Sequence, residues 1–194
     1  MLLTTYFNAR DIAAISICSA LWGVLNTILS PVFFQMFGLP ILCDLIGFSV
    51  LIIAVWWIRK FGAITMIGLI STIINFSLGG GIQFLGFTAA SVFFDFATRL
   101  IGYTLSFKKP IFAVTSMTSV SIISAAIAGY LIGTFFMVGP ALTSWGGVVG
   151  CAGLHMVGGV IGGIIGAFLV VSLTARKVAP TGKWGNQKRG LTSK

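Results

Sequence analysis

Acid–base chemistry has few side chains to draw on in this chain. There are three aspartates, Asp11, Asp44 and Asp95, no glutamate, and a single histidine, His155. That set is too small for a multi-carboxylate metal site. Cys18, Cys43 and Cys151 show no metal-ligand spacing either, so neither a metal nor another cofactor is expected. An intramembrane enzyme would need several carboxylates or a Ser/His pair clustered on neighbouring helices, and the chain offers neither. The chemistry that remains is recognition by hydrogen bonding.

Polar side chains suited to that task are Asn26, Gln35, Asp44, Asn75, Gln83, Trp145 and His155. Each has a structural alternative. Asn26 and Asn75 can cap helix ends, Gln83 can face water, and Asp44 and His155 can lock to each other. They share one property, which emerges only from the elements that carry them.

With 57% hydrophobic and 8% charged residues, and a mean hydropathy of +1.08, the composition is that of an integral membrane protein. A soluble domain has about 25% charged residues. Apolar periodicity predicts an all-α, six-helix transmembrane bundle, with helices at 10–29, 41–58, 61–78, 82–107, 111–137 and 148–174. Residues 1–174 form one domain, and the basic tail 175–194 is expected to be disordered. The first apolar run is long enough to stay in the membrane, so no cleavable signal peptide is expected. The five prolines, Pro31, Pro40, Pro110, Pro140 and Pro180, all fall outside the predicted helices.

Charge then orients the bundle. Of the 12 Lys and Arg residues, all but Arg99 lie at Arg10, at the Arg59-Lys60 turn, at Lys108-Lys109, or from Arg176 onward. Loops 30–40, 79–81 and 138–147 contain none. Because short cationic loops stay in the cytoplasm, both termini are placed there and the protein in the cell (plasma) membrane as a multi-pass chain. The net charge of +9 then reflects orientation and attraction to the lipid bilayer, and no nucleic-acid partner is expected.

On this layout the seven polar candidates all fall in the outer halves of helices or in outer loops. They converge on one mouth beneath the aromatic loop Ser30–Pro40, which is too apolar to hang in water and is expected to fold back over the bundle. Asp95 and Arg99, spaced i,i+4, are read first as an intrahelical ion pair well below that mouth and second as a coupling or partner-contact site. Cys43 and Cys151 sit near outer helix ends, where a disulfide has the opportunity to form, but burial as small apolar residues is the expectation. Ser121, Ala125, Gly129 and Gly133 make a small-residue ridge on the fifth helix. Gly158, Gly162 and Gly166, with Gly159, Gly163 and Ala167 beside them, do so on the sixth, and both ridges are read as packing of these helices on each other.

The segment Trp57-Ile58-Arg59-Lys60-Phe61-Gly62-Ala63-Ile64-Thr65 resembles the "IRKPGA" turn of the S components of energy-coupling-factor (ECF) vitamin transporters, closest to the hydroxymethylpyrimidine/thiamine type. Phe61 replaces the usual proline. Ile73-Ile74-Asn75-Phe76-Ser77-Leu78-Gly79 is similar to the end of helix three in that family, although the acidic residues of its pyrimidine-type members are absent. The resemblance implies capture of a water-soluble vitamin or precursor from outside, thiamine- or hydroxymethylpyrimidine-like, followed by docking on a transmembrane coupling protein driven by two ATPase subunits. It also implies a small-residue docking face on helix one, where Ala9 and Ala13 match the family's Ala-xxx-Ala and Ser16 and Ala20 extend it. The alternative is a small channel or structural subunit of a larger membrane complex.

Overall fold

The computed structural model describes residues 6–178, so most of the basic tail expected at 175–194, like the first five residues, lies outside the described part. Every element in that part is helical: α1 Ala9–Phe37, α2 Ile41–Ile58, α3 Ala63–Ser77, α4 Phe84–Ile101, α5 Tyr103–Ser106, α6 Pro110–Leu131 continued by a π-helical turn Ile132–Phe136, α7 Pro140–Ser144 and α8 Gly147–Ala175. Five of these (α1, α2, α4, α6 with its π turn, and α8) are long and apolar enough to cross a membrane, which is the architecture of a multi-pass membrane protein. The exception among the six predicted spans is α3, only 15 residues long.

Three boundaries differ from expectation. α1 does not stop near residue 29. It runs 29 residues, straight through Pro31, and ends at Gly38, whose left-handed φ of 67° closes an N–H bond to Phe34 O. Proline forfeits only one ladder bond, and in a membrane helix neighbouring groups re-satisfy the freed carbonyl region. The aromatic segment therefore reaches the bundle mouth as two further helical turns rather than as a loop. α4 ends early because Gly102 adopts φ 90°, outside the helical region, which splits off the short α5. The connection between α6 and α8 holds a further short helix, α7, started by Pro140.

The two glycine ridges of α8 divide between two partners. At Gly159 an added Cβ would lie 2.7 Å from Ala125 Cβ, and at Gly163 2.8 Å from Thr118 Cα, so this row packs on α6 as expected. The other row faces α2: an added Cβ would meet Asp44 Cβ at 2.6 Å from Gly158, Asp44 O at 2.8 Å from Gly162, and Ser49 Cα at 2.9 Å from Gly166. Thus α8 is wedged between α2 and α6, touching both through bare backbone. Ser49 Oγ, donating to Gly162 O at 3.2 Å, ties the α2 seam.

At the opposite, basic end the α2–α3 turn is fastened to its surroundings. Asn8 and Asp11 cap α1 reciprocally, and Lys60 Nζ sits 2.6 Å from Asp11 Oδ2 and 2.7 Å from Tyr6 O. The predicted Asp95–Arg99 ion pair does not form. Asp95 Oδ2 instead accepts from Gly62 N (2.9 Å), Thr65 N (3.0 Å) and Thr65 Oγ1 (2.9 Å), capping α3 from a different helix. Unsatisfied amides at a helix start outbid a flexible cation one turn away, because three fixed donors and the helix dipole stabilise the carboxylate together. Arg99 lies over the Phe61 ring, 4.8 Å from its centre.

Glycine packing is checked by substitution. Gly158→Ala is expected to lower thermal stability in detergent by about 1–3 kcal/mol, the usual cost of overpacking. Gly153→Ala, on the same helix with nothing within 4 Å of the added carbon, is expected to be neutral.

Candidate ligand cavity

Asn26, eighteen positions into α1, is 5% exposed, and its Nδ2 reaches Cys43 O at 3.4 Å. Asn75, near the end of α3, is 4% exposed and donates from Nδ2 to Thr27 Oγ1 at 2.7 Å. These contacts bring α1, α2 and α3 together around one space. α4 closes its side with Phe84 and Phe87, α6 with Ile132 of the π turn, and α8 with His155. The result is a cavity of about 420 Å³ at the cation-free end, within the range of small-molecule sites.

Six of the seven residues anticipated for this site line it: Asn26, Gln35, Asn75, Gln83, Trp145 and His155. They form two tiers. Asn26, Asn75 and His155 are buried at the floor, whereas Gln35 and Gln83 are exposed at the rim. Trp145 is the outer latch: its Nε1 donates to Gly38 O at 3.1 Å, and its ring meets Phe34 edge-on at 5.7 Å. The aromatic segment expected to cover the mouth does so, as helix.

The seventh residue, Asp44, lies behind the wall. It is 0% exposed, and its Oδ2 stands 2.8 Å from Nδ1 of His155. The lock between the two foreseen as an alternative to ligand contact is therefore present. Asp44 acts on the cavity only through His155, whose Nε2 is the ring nitrogen left over. Phe87 packs against the imidazole at 5.5 Å and against Trp22 at 6.4 Å, which completes an aromatic floor.

Cys43, Asp44 and His155 bring potential ligand atoms within 4.8 Å of one another. Asp44 Oδ2 and His155 Nδ1 are engaged with each other, the Cys43 thiol donates to Pro40 O, and Asp44 Oδ1 is buried with no partner. All three cysteines are free, with Cys43 and Cys151 buried as expected of small apolar residues.

Ser30 and Phe34 line the cavity from the segment expected over the mouth, while Thr27, Phe84, Phe87 and Met137 line it without having been anticipated. For Thr27 a signal existed, since it adjoins Asn26 near the same helix end. For Phe84 and Phe87 none did, because apolar residues facing a cavity and apolar residues facing lipid have the same composition. At the other end of α1, Ala9, Ala13, Ser16 and Ala20 are all exposed, on the side opposite the buried Asp11, Ile15, Ser19 and Trp22.

No protein-family model, curated protein or solved structure matches the chain.

The buried pair sets a stability expectation. Removing one partner strands a charge or an unpaired polar group in a dry interior, so His155→Ala is expected to cost about 3–5 kcal/mol in detergent unfolding. Replacing both residues by a neutral hydrogen-bonding pair, Asp44→Asn with His155→Gln, is expected to recover most of that loss.

Proposed function

We propose that this chain is the substrate-capturing S component of an ECF-type importer, taking up a water-soluble vitamin or precursor of the thiamine/hydroxymethylpyrimidine kind. The observation that carries the reading is the two-tiered cavity: apolar and aromatic walls, a few buried amide and imidazole groups at the floor, and an aromatic helical arm latched over the mouth. Such a site suits a ligand that arrives from water and is held without chemistry. The chain's catalytic poverty supports a non-enzymatic role.

The positive-inside rule orients the cavity outward and the Arg59-Lys60 turn toward the cytoplasm, with both termini inside and α3 completing a sixth, shorter span. The face of Ala9, Ala13, Ser16 and Ala20 supplies a surface where another helix can approach closely. A transmembrane coupling protein docking there, energised by two ATPase subunits in the plasma membrane, would return the captured ligand to the cytoplasm. In the alternative role, as a small channel or structural subunit, the cavity would have no ligand to hold.

Two measurements test this. Protein purified without ATP is expected to release a bound small molecule on denaturation, detectable by mass spectrometry, and to show ligand-dependent quenching through Trp145. Protein that is consistently empty, and that binds no added vitamin or precursor, would sink the capture role. Separately, Ala13→Trp is expected to abolish uptake in cells that carry the coupling module while leaving the Kd unchanged. A matching loss of affinity would show that this face serves internal packing.

A further inference from the structure

Cys43, Asp44 and His155 bring a thiol, a carboxylate and an imidazole together where α2 meets α8. We infer that they form a site for a divalent cation of the zinc type, bound at the cavity wall by the Cys43 thiolate, the Asp44 carboxylate and the His155 imidazole. The site goes beyond the capture role and does not depend on it.

Spacing supports this. Asp44 Oδ2 stands 2.8 Å from His155 Nδ1 and 3.9 Å from Cys43 Sγ, and the three ligand atoms lie within 4.8 Å of one another. Metal–ligand bonds of about 2.0–2.3 Å at tetrahedral angles hold ligand atoms roughly 3.3–3.8 Å apart. The two measured spacings bracket that range, so small side-chain shifts seat an ion. The backbones have already made their approach, because α8 crosses α2 on bare glycine and the Asp44 side chain lies against Gly158.

The second observation is the state of the carboxylate. Asp44 is 0% exposed, and its Oδ1 has no hydrogen-bond partner. Native structures seldom enclose a polar atom in that way. The hydrogen bond to His155 serves one carboxylate oxygen, whereas a cation at this carboxylate stabilises the charge on both.

Donor chemistry selects the ion. Calcium and magnesium take oxygen ligands, while a mixed set of sulfur, nitrogen and oxygen suits zinc. Charge agrees with that choice. Binding displaces the thiol hydrogen now given to Pro40 O and the proton shared by Asp44 and His155. One divalent ion, one thiolate, one carboxylate and one neutral imidazole then sum to zero, which is what enclosure in a dry interior demands.

Cys43 and His155 both line the cavity, and Asp44 lies behind them. The cavity is therefore the ion's way in, and the fourth coordination position opens toward it. Linear spacing hides the set, since Asp44 and His155 are 111 residues apart.

Cobalt(II) is the probe, because tetrahedral cobalt absorbs in the visible and a bound thiolate adds a near-ultraviolet charge-transfer band. It is titrated into the full chain in detergent, after chelator treatment and with a purification tag free of histidine. One equivalent is expected to develop both signals, to be displaced by zinc, and to shift its visible bands when azide takes the fourth position. Cys43→Ser is expected to lose the charge-transfer band and to weaken binding by more than the ~10–100-fold typical of residues that only orient a metal ligand. Cys43→Ala is expected to do the same and serves where serine disturbs folding. Cys18→Ser, on α1 and outside the cluster, is expected to keep both signals. A chain without the charge-transfer band, or one that keeps it in both Cys43 variants, would overturn the site. Visible bands unmoved by azide would overturn its open position. Vitamin binding by a chain that takes up no cobalt would overturn the site and leave capture intact.

Discussion

Asp44 and His155 touch because α8 presents glycine where it crosses α2. A Cβ on Gly158 would occupy the space of the Asp44 side chain, and one on Gly162 would collide with the Asp44 carbonyl. Bare backbone on one helix thus lets a carboxylate on the other be wholly enclosed. Enclosure makes the pair strong and costly to break, since neither partner can turn to water. The pair in turn fixes the imidazole that floors the cavity. Remove the glycine ridge and the floor loses its fixed imidazole, although no ridge residue lines the cavity.

The placement of the site was legible in the sequence because lipid is an unforgiving solvent. Polar side chains inside spans are expensive, and those that persist cluster where they serve a purpose. Asn26, Asn75 and His155 could be assigned to one mouth from topology alone, and they share one cavity. The Asp44–His155 contact was foreseen as an alternative reading, but which alternative held depended on the depth of helix approach, which the linear sequence does not encode. The course of α1 through Pro31 was missed for a related reason. Proline disfavours helix strongly in water, and much less where neighbouring helices shield the disturbed turn. Asp95 was misread because i,i+4 spacing describes one helix, whereas its real partners, Gly62 and Thr65, lie on the preceding turn and helix, 33 and 30 residues away in sequence.

The two ends of the bundle use their polar groups differently. At the basic end they tie segments together: Asp11 to Lys60 and Asn8, Asp95 Oδ2 to the start of α3, and Arg99 to the Phe61 ring. Buried atoms without a partner occur at both ends, Asp95 Oδ1 and the Tyr103 hydroxyl at this one, Asp44 Oδ1 and Asn75 Oδ1 at the other. What sets the cation-free end apart is the cavity that its polar side chains line.

The unequal lengths of α1 and α3 carry a consequence for the surrounding bilayer. At about 1.5 Å per residue, 29 residues make α1 roughly 44 Å tall and 15 residues make α3 roughly 22 Å. Both present apolar side chains outward, Ile17 and Leu21 on one and Leu69 and Ile73 on the other. Lipid of about 30 Å hydrocarbon thickness is too thin for the first wall and too thick for the second. Tilting α1 shortens its span toward that thickness, whereas beside α3 the bilayer itself has to thin. Bilayer thickness therefore acts in opposite senses on the two walls of one bundle.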